Sequence, residues 1–374
     1  MNSNQRSQGS RTSHPPKIRQ VLLEDLRQGG IPGTFWQDLK EIYHFYLDQE
    51  TKQRLMAMGR VRRGIHVAIW LVKSLILKLN PLRRLLLVAA IILVLLGNSD
   101  VRLNQDVHIS SNFSYVGFLL VLLILMLELK DKLLAQDELA VGRAVQRAFI
   151  PSTHPHLPGW DIWLYTHPAN EVGGDLVDYL QLDEQRLHLT LADVAGKGLG
   201  AALLMSKLQA TLRALAPNFR SLTELAARVN EILCRDGLPN RFASMVYLEL
   251  GSNSARVGML NAGHLPPIRI GSQEIDILPH GSLALGLQPS SLFNEQQITM
   301  QPGEILLIYS DGLTEARNEA GEFYGEQRLL DFLQLAPELS AQALGQRLIL
   351  ELERYSAGAR RYDDVSLIVV KRLS

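Results

Sequence analysis

The chain has 374 residues, 47% of them apolar and 20% charged, with a formal net charge of zero. That length and composition suit two or three units with buried cores and exclude a disordered chain. A single cysteine, Cys234, excludes a disulfide framework and any multi-cysteine zinc site.

The zero net charge conceals a division. Residues 1–150 carry 20 Lys/Arg against 12 Asp/Glu, and residues 151–374 carry 18 against 26. The first part suits anionic surroundings and the second suits cations. Residues 1–16 are rich in Ser, Asn, Gln and Arg and lack an apolar core, which reads as a disordered start and not a secretory signal. Residues 21–58 read as short helices broken around Gly29, Gly30, Pro32 and Gly33. The region 1–80 is thus a polar and basic helical segment without a sensor signature. Lys52 to Arg84 holds nine Lys/Arg and no acidic residue. Such a stretch suits an anionic membrane surface, and an ordinary solvated helix face has the same composition.

Leu85–Leu96 is uninterruptedly apolar, Gly97–Asn112 is polar, and Phe113–Leu127 is again largely apolar before Glu128, Lys130, Asp131 and Lys132. A membrane span takes about 20 apolar residues. Both runs are shorter, but Arg83, Arg84 and Lys130 can snorkel toward headgroups and the bilayer can thin. The reading is a two-helix membrane hairpin over 81–130, with basic flanks that put both ends in the cytoplasm. A soluble hairpin at a dimer interface is the other possibility. Within 128–150, Leu129, Leu133, Val141, Ala144, Val145, Ala148 and Phe149 recur at three- and four-residue spacings. That predicts an amphipathic linker helix over 131–150, suited to pairing with a second copy or to plain docking. Pro151 ends it.

Residues 151–374 read as one α+β domain. Strands are expected at Trp160–Tyr165, Leu176–Leu182, Leu187–Ala192, Ala243–Leu250, Arg256–Leu260, Glu304–Tyr309 and Val365–Val370. Helices are expected at about 199–216, 222–235, 326–335 and 341–357, the second opened by the capping box Ser221-Leu-Thr-Glu224. Clustered strands with grouped helices suggest a sandwich, not a βαβ alternation.

Acidic residues stand at strand ends or tight turns. They are Asp175 after Gly173-Gly174, Asp193 opening Asp193-Val-Ala-Gly-Lys-Gly198, Asp311 in Ser310-Asp-Gly312, and the pair Asp363-Asp364. Any one Asp-Gly pair alone is an ordinary turn. Several carboxylates gathered at one sheet edge repel one another unless cations compensate, and hard divalent cations suit such oxygens.

The set Glu171-Val-Gly-Gly-Asp175, Asp193-Val-Ala-Gly-Lys-Gly198 with Ala201-Ala-Leu-Leu-Met205, Asn261-Ala-Gly-His264-Leu-Pro-Pro267, Ser310-Asp-Gly-Leu-Thr-Glu-Ala316 and Asp363-Asp364-Val-Ser366 resembles the SpoIIE/RsbU branch of the PPM (metal-dependent, type 2C) protein serine/threonine phosphatases. The likeness covers about residues 140–374. It implies an α-β-β-α sandwich with two Mn²⁺ or Mg²⁺ ions at one end. Carried over by position, Asp175, Asp193, Asp311 and Asp363 would be the catalytic carboxylates. The metal ligands would be Asp175, Asp193, the Val194 carbonyl, Asp311 and Asp363, with Asp364 ranked below Asp363. Asp178 could be an outer carboxylate, although strand alternation points it away from Asp175, and a surface position is at least as fitting. The ions would activate water for in-line attack on phosphoserine or phosphothreonine. The segment before Asp175 offers no clear counterpart of the phosphate-holding arginine of other type 2C enzymes.

Gly196-Lys-Gly-Leu-Gly200 lacks the spacing of a nucleotide phosphate loop, and no nucleic-acid partner is expected. Lys197 reads as structural or solvated, and the helix from Leu199 resembles the family's switch element. His264 and Asn261 read as structural turn residues more than catalytic ones. Cys234 reads as buried. The resemblance further implies a phosphorylated STAS-domain anti-anti-sigma factor as substrate, hence sigma-factor regulation. The full expectation is a multi-pass protein of the cytoplasmic membrane, dimeric through residues 128–150, with the N-terminus and phosphatase domain cytoplasmic. Alternatives are an inactive pseudophosphatase that sequesters a partner, or a membrane scaffold.

Overall fold

The computed structural model describes residues 66, 73 and 76–373, apart from 105–106, 152, 171, 237–240, 273, 335–337, 358 and 360–361. The expectations for residues 1–65, and most of the basic stretch Lys52–Arg84, lie outside the described residues. The chain divides into two compact units, Met1–Asp131 and Lys132–Ser374.

In the first unit, helix α1 spans Pro81–Leu96. Pro81 stands in its first turn, where a missing N–H costs nothing, and Gly97 follows with φ 60°. The polar linker forms an antiparallel ribbon, β1 (Asn98–Asn104) against β2 (Val107–Asn112). Helix α2 then runs unbroken for 37 residues, Phe113–Phe149. The charged residues at Glu128–Lys132, expected to part the hairpin from the linker helix, do not interrupt it. The helix passes through because Glu128–Gln136 contains neither Gly nor Pro and consists mostly of good helix formers.

Helices α1 and α2 pack antiparallel. Arg83 donates to Glu128 at 2.7 Å and to Asp131 at 2.6 Å. Gly117 lets the backbones touch, since a Cβ there would lie 2.7 Å from both the Ala90 carbonyl oxygen and Val94 Cγ2. Leu85, Ile92, Leu95, Phe118, Leu119 and Leu125 are exposed. Among the described residues α2 alone is long and apolar enough to cross a membrane. The 16 residues of α1 extend about 24 Å, short of a hydrocarbon core of about 30 Å. The expected pair of spanning helices therefore has one member that meets the length requirement.

The second unit is an α-β-β-α sandwich. One sheet has the order Glu295–Thr299, Arg256–Ala262, Ala243–Gly251, Arg186–Val194, Leu176–Gln181, and the other Trp160–His167, Val365–Arg372, Ile305–Tyr309, Ile268–Ile270, Ile275–Ile277. The strands are β3 (Trp160–His167), β4 (Leu176–Gln181), β5 (Arg186–Val194), β6 (Ala243–Gly251), β7 (Arg256–Ala262), β8 (Ile268–Ile270), β9 (Ile275–Ile277), β10 (Glu295–Thr299), β11 (Ile305–Tyr309) and β12 (Val365–Arg372). All the paired strands are antiparallel. Strand alternation assigns the faces. In β5, Leu187, Leu189 and Leu191 enter the core between the sheets, while Ala192 and Val194 face the helices α3 (Leu199–Leu215) and α4 (Leu222–Asp236). On the outer side of the second sheet, Ile305, Leu307, Leu367 and Val369 pack with residues of α6 (Gly325–Leu333) and α7 (Ala341–Ser356). Burying each such aliphatic side chain contributes about 2 kcal/mol. The Ser221 hydroxyl accepts from the Glu224 N–H at 3.3 Å, so the predicted cap forms.

Candidate metal centre

The candidate carboxylates gather because the strands that carry them end at one edge. Asp175 immediately precedes β4 and Asp193 is the penultimate residue of β5, and these strands pair with Leu176 opposite Ala192. Asp311 opens the one-turn helix α5 (Asp311–Thr314) directly after β11, and Asp363 precedes β12, with Tyr309 opposite Leu367. Each sheet thus supplies two carboxylates to one end of the sandwich.

Their electrostatics register the crowding. Burial, then the charge of Asp193, holds the Asp175 carboxyl well above its ordinary range, although the Ser366 and Ser310 hydroxyls oppose this. Asp193 is pushed up to about 6 by burial and then by Asp311, Asp363 and Asp364, with Lys197 opposing. Asp311 is raised by burial and by Asp363. Burial and like charges held this close favour protonation, and the Lys197 ammonium offsets only part of that.

Glycines permit the approach. A Cβ on Gly173 would lie 2.4 Å from Asp364 Oδ2, and one on Gly312 would lie 1.9 Å from the Asp364 carbonyl oxygen. A Cβ on Gly174 would lie 3.2 Å from the Val194 carbonyl oxygen and 3.6 Å from Asp193 Oδ1. Asp364 itself is buried and committed to backbone. Its Oδ1 accepts from the Ala169 N–H at 2.8 Å, and its Oδ2 accepts from Gly174 at 2.7 Å and Asp175 at 3.4 Å. This carboxylate holds the loop that presents Asp175. Glu171 lies outside the described residues.

The donor set fits hard divalent cations. Asp175 Oδ2 is buried with no hydrogen-bond partner, in a carboxyl group whose charge Asp193 and Asp364 oppose, as a bound cation would relieve. Among the described residues, no three His, Cys, Asp or Glu already stand in metal-holding geometry. The Lys197 ammonium lies among these groups instead, 2.7 Å from Asp363 Oδ2 and 2.8 Å from the Tyr362 carbonyl oxygen.

Other candidates resolve differently. Asp178 is buried, not a surface residue, and its two oxygens accept from Arg213 of α3 at 2.6 and 2.8 Å. The His264 ring is buried and its pKa falls to about 4, so it is neutral at pH 7. Its Nε2–H donates to the Tyr309 carbonyl at 3.1 Å, which leaves Nδ1 to accept from the Ser244 hydroxyl at 2.8 Å. Asn261 pairs with the His264 backbone at 2.9 and 3.2 Å. Both residues build the turn. Cys234 is only partly buried, with Sγ 3.7 Å from Asn230 Oδ1.

Two supporting residues carry no sequence signal. Gln146 of α2 is buried and grips Gly173 twice. Its Nε2 donates to the Gly173 carbonyl at 2.7 Å, and its Oε1 accepts from the Gly173 N–H at 3.1 Å. Arg241 donates to the Ala195 carbonyl at 2.7 Å and packs over Gly196, where φ is 108° and a Cβ would meet its guanidinium.

Comparison with known proteins bears on this arrangement. The family described as Stage II sporulation protein E (SpoIIE) matches residues 183–373, just over half of the chain. That range includes Asp193, Asp311 and Asp363 and stops short of Asp175. Protein IcfG of Synechocystis sp. is 28% identical over 263 residues, 63% of this chain and 41% of that protein. Phosphoserine phosphatase RsbU of Bacillus subtilis is 24% identical over 243 residues, 63% of this chain and 70% of that protein. The chain thus spans well under half the length of the first relative. The solved SiaA-PP2C domain of Pseudomonas aeruginosa matches with a TM-score of 0.57 at 18% identity, over 65% of this chain and 99% of that domain. At that identity it speaks for the fold.

Proposed function

The chain belongs to the SpoIIE family, and from that membership we propose that it is a metal-dependent protein serine/threonine phosphatase. The observation that carries the reading is the meeting of Asp175, Asp193, Asp311 and Asp363 at one edge, with a buried Asp175 oxygen lacking any partner. In this reading Asp175, Asp193, the Val194 carbonyl, Asp311 and Asp363 hold two Mn²⁺ or Mg²⁺ ions. When bound, such ions acidify water and offset charge on a phosphoryl group. The chain's own residues support this reading: Gly173, Gly174 and Gly312 admit the close approach, and Asp364 and Gln146 clamp the loop before Asp175. Asp364, with both oxygens on amides, is assigned to positioning and not to ligation.

A relative named a phosphoserine phosphatase supports phosphoserine as the group hydrolysed. The proposed substrate protein is a STAS-domain anti-anti-sigma factor. The exposed apolar faces of α1 and α2 support anchoring in the cytoplasmic membrane, with the phosphatase domain on the cytoplasmic side. Exposed Leu133, Val141 and Val145 on α2 support pairing with a second copy.

The test uses detergent-solubilised full-length protein, Mn²⁺ and a serine-phosphorylated STAS protein, and follows phosphate release. Turnover should stop in excess chelator and in Asp193→Asn. Turnover that persists in chelator contradicts the proposal. Tight partner binding without turnover in Mn²⁺ indicates an inactive binding module instead.

A further inference from the structure

Resting on the phosphatase reading, we propose that Lys197 is the residue that seats the substrate phosphate. Pro151–Asp175 contains neither Arg nor Lys, so the segment leading directly into Asp175 supplies no cation for the phosphoryl oxygens. Lys197 supplies one from the opposite side, in the loop between β5 and α3. Its ammonium donates to Asp363 and to the Tyr362 carbonyl. Its charge also acts on Asp193 and Asp311. It therefore faces three of the four carboxylates while its side chain stays 59% exposed, within reach of an incoming phosphoprotein.

The surroundings hold the loop and leave the charge available. Arg241 fixes the Ala195 carbonyl and packs over Gly196, which sets the direction in which the next residue leaves. Helix α3 begins two residues later with no side-chain cap, and an uncapped helix N-terminus favours an anion. The nearby cation Arg317 is stacked on the Phe323 and Tyr362 rings, at 4.5 and 5.3 Å from their centroids. Without metal, Lys197 is the counter-ion of the carboxylates. Divalent cations on those carboxylates take over that task, and the flexible, strongly charged ammonium is free to pair with phosphate oxygens.

The experiment compares full-length wild type, Lys197→Ala and Lys197→Arg, each in detergent with Mn²⁺. Calorimetry measures affinity for inorganic phosphate and, separately, for Mn²⁺, and steady-state kinetics give KM and kcat on the phosphoprotein. Lys197→Ala should weaken phosphate binding and raise KM about tenfold, the loss of one charge-assisted hydrogen bond. Mn²⁺ affinity should stay level or tighten, because a competing cation has gone. Lys197→Arg, which keeps the charge, should recover most of the phosphate affinity. Unchanged phosphate affinity and KM in Lys197→Ala overturn the assignment and leave Lys197 a counter-ion only. Absence of metal-dependent turnover in the wild type instead overturns the phosphatase reading on which the assignment rests.

Discussion

Asp193→Asn should stabilise the metal-free protein while abolishing the reaction. The carboxyl of Asp193 is raised from 3.8 to about 6, first by burial and then by its acidic neighbours. A raised carboxylate favours folding only while protonated. Its contribution is complete below pH 3.8 and is lost as pH rises through about 6. At pH 7 the charged form therefore costs the fold about 3 kcal/mol at most, and about 1–3 kcal/mol after allowance for partial exposure. Asparagine keeps the shape and removes the charge. Urea unfolding in excess chelator at pH 7 should show the variant more stable by about that amount, equivalent to a Tm rise of several degrees. Most of the gap should close by pH 4, where the folded Asp193 carboxyl is protonated. A variant less stable than wild type at pH 7 in chelator would refute the claim that burial and neighbouring carboxylates make the Asp193 charge costly.

Three further outcomes follow from the same geometry. Gln146→Ala leaves the Gly173 N–H and carbonyl without their partner, a loss of about 1–3 kcal/mol, and should raise the Mn²⁺ concentration needed for half-maximal activity. Gly312→Ala drives a methyl into the Asp364 carbonyl, so calorimetry should show weakened Mn²⁺ binding even at temperatures where circular dichroism reports a folded domain. Changing Leu133 and Val145 of α2 to polar residues should alter turnover together with oligomeric state in analytical ultracentrifugation; if neither changes, pairing through this helix is wrong.

The sandwich was largely legible in the sequence because its long strands carry runs of apolar and β-branched residues. The expected strands at 160–165, 243–250 and 365–370 all form, each extended by one or two residues. Short strands left weaker signals. Ile268–Ile270 follows two prolines, and in Glu295–Thr299 Ile298 alone is buried, so that segment reads as polar loop. Asp311–Thr314 reads as an Asp-Gly turn because a single helical turn has no period to detect. The aspartates of the candidate site stood out through their flanking glycines. Their supports did not: Gln146 resembles any polar residue on an amphipathic helix, and its role depends on a loop 27 residues away. Strand alternation sends Asp178 to the face opposite Asp175. Its burial depends on Arg213, a partner 35 residues away that local pattern does not reveal.

Electron paramagnetic resonance of bound Mn²⁺ tests the central claim most directly. Two ions per chain, with the spectrum of an exchange-coupled pair, should appear in the wild type. Alanine at Asp175, Asp193, Asp311 or Asp363 should each abolish the coupled signal. Uncoupled or absent Mn²⁺ in the wild type, or a signal indifferent to all four substitutions, would contradict a shared carboxylate cage.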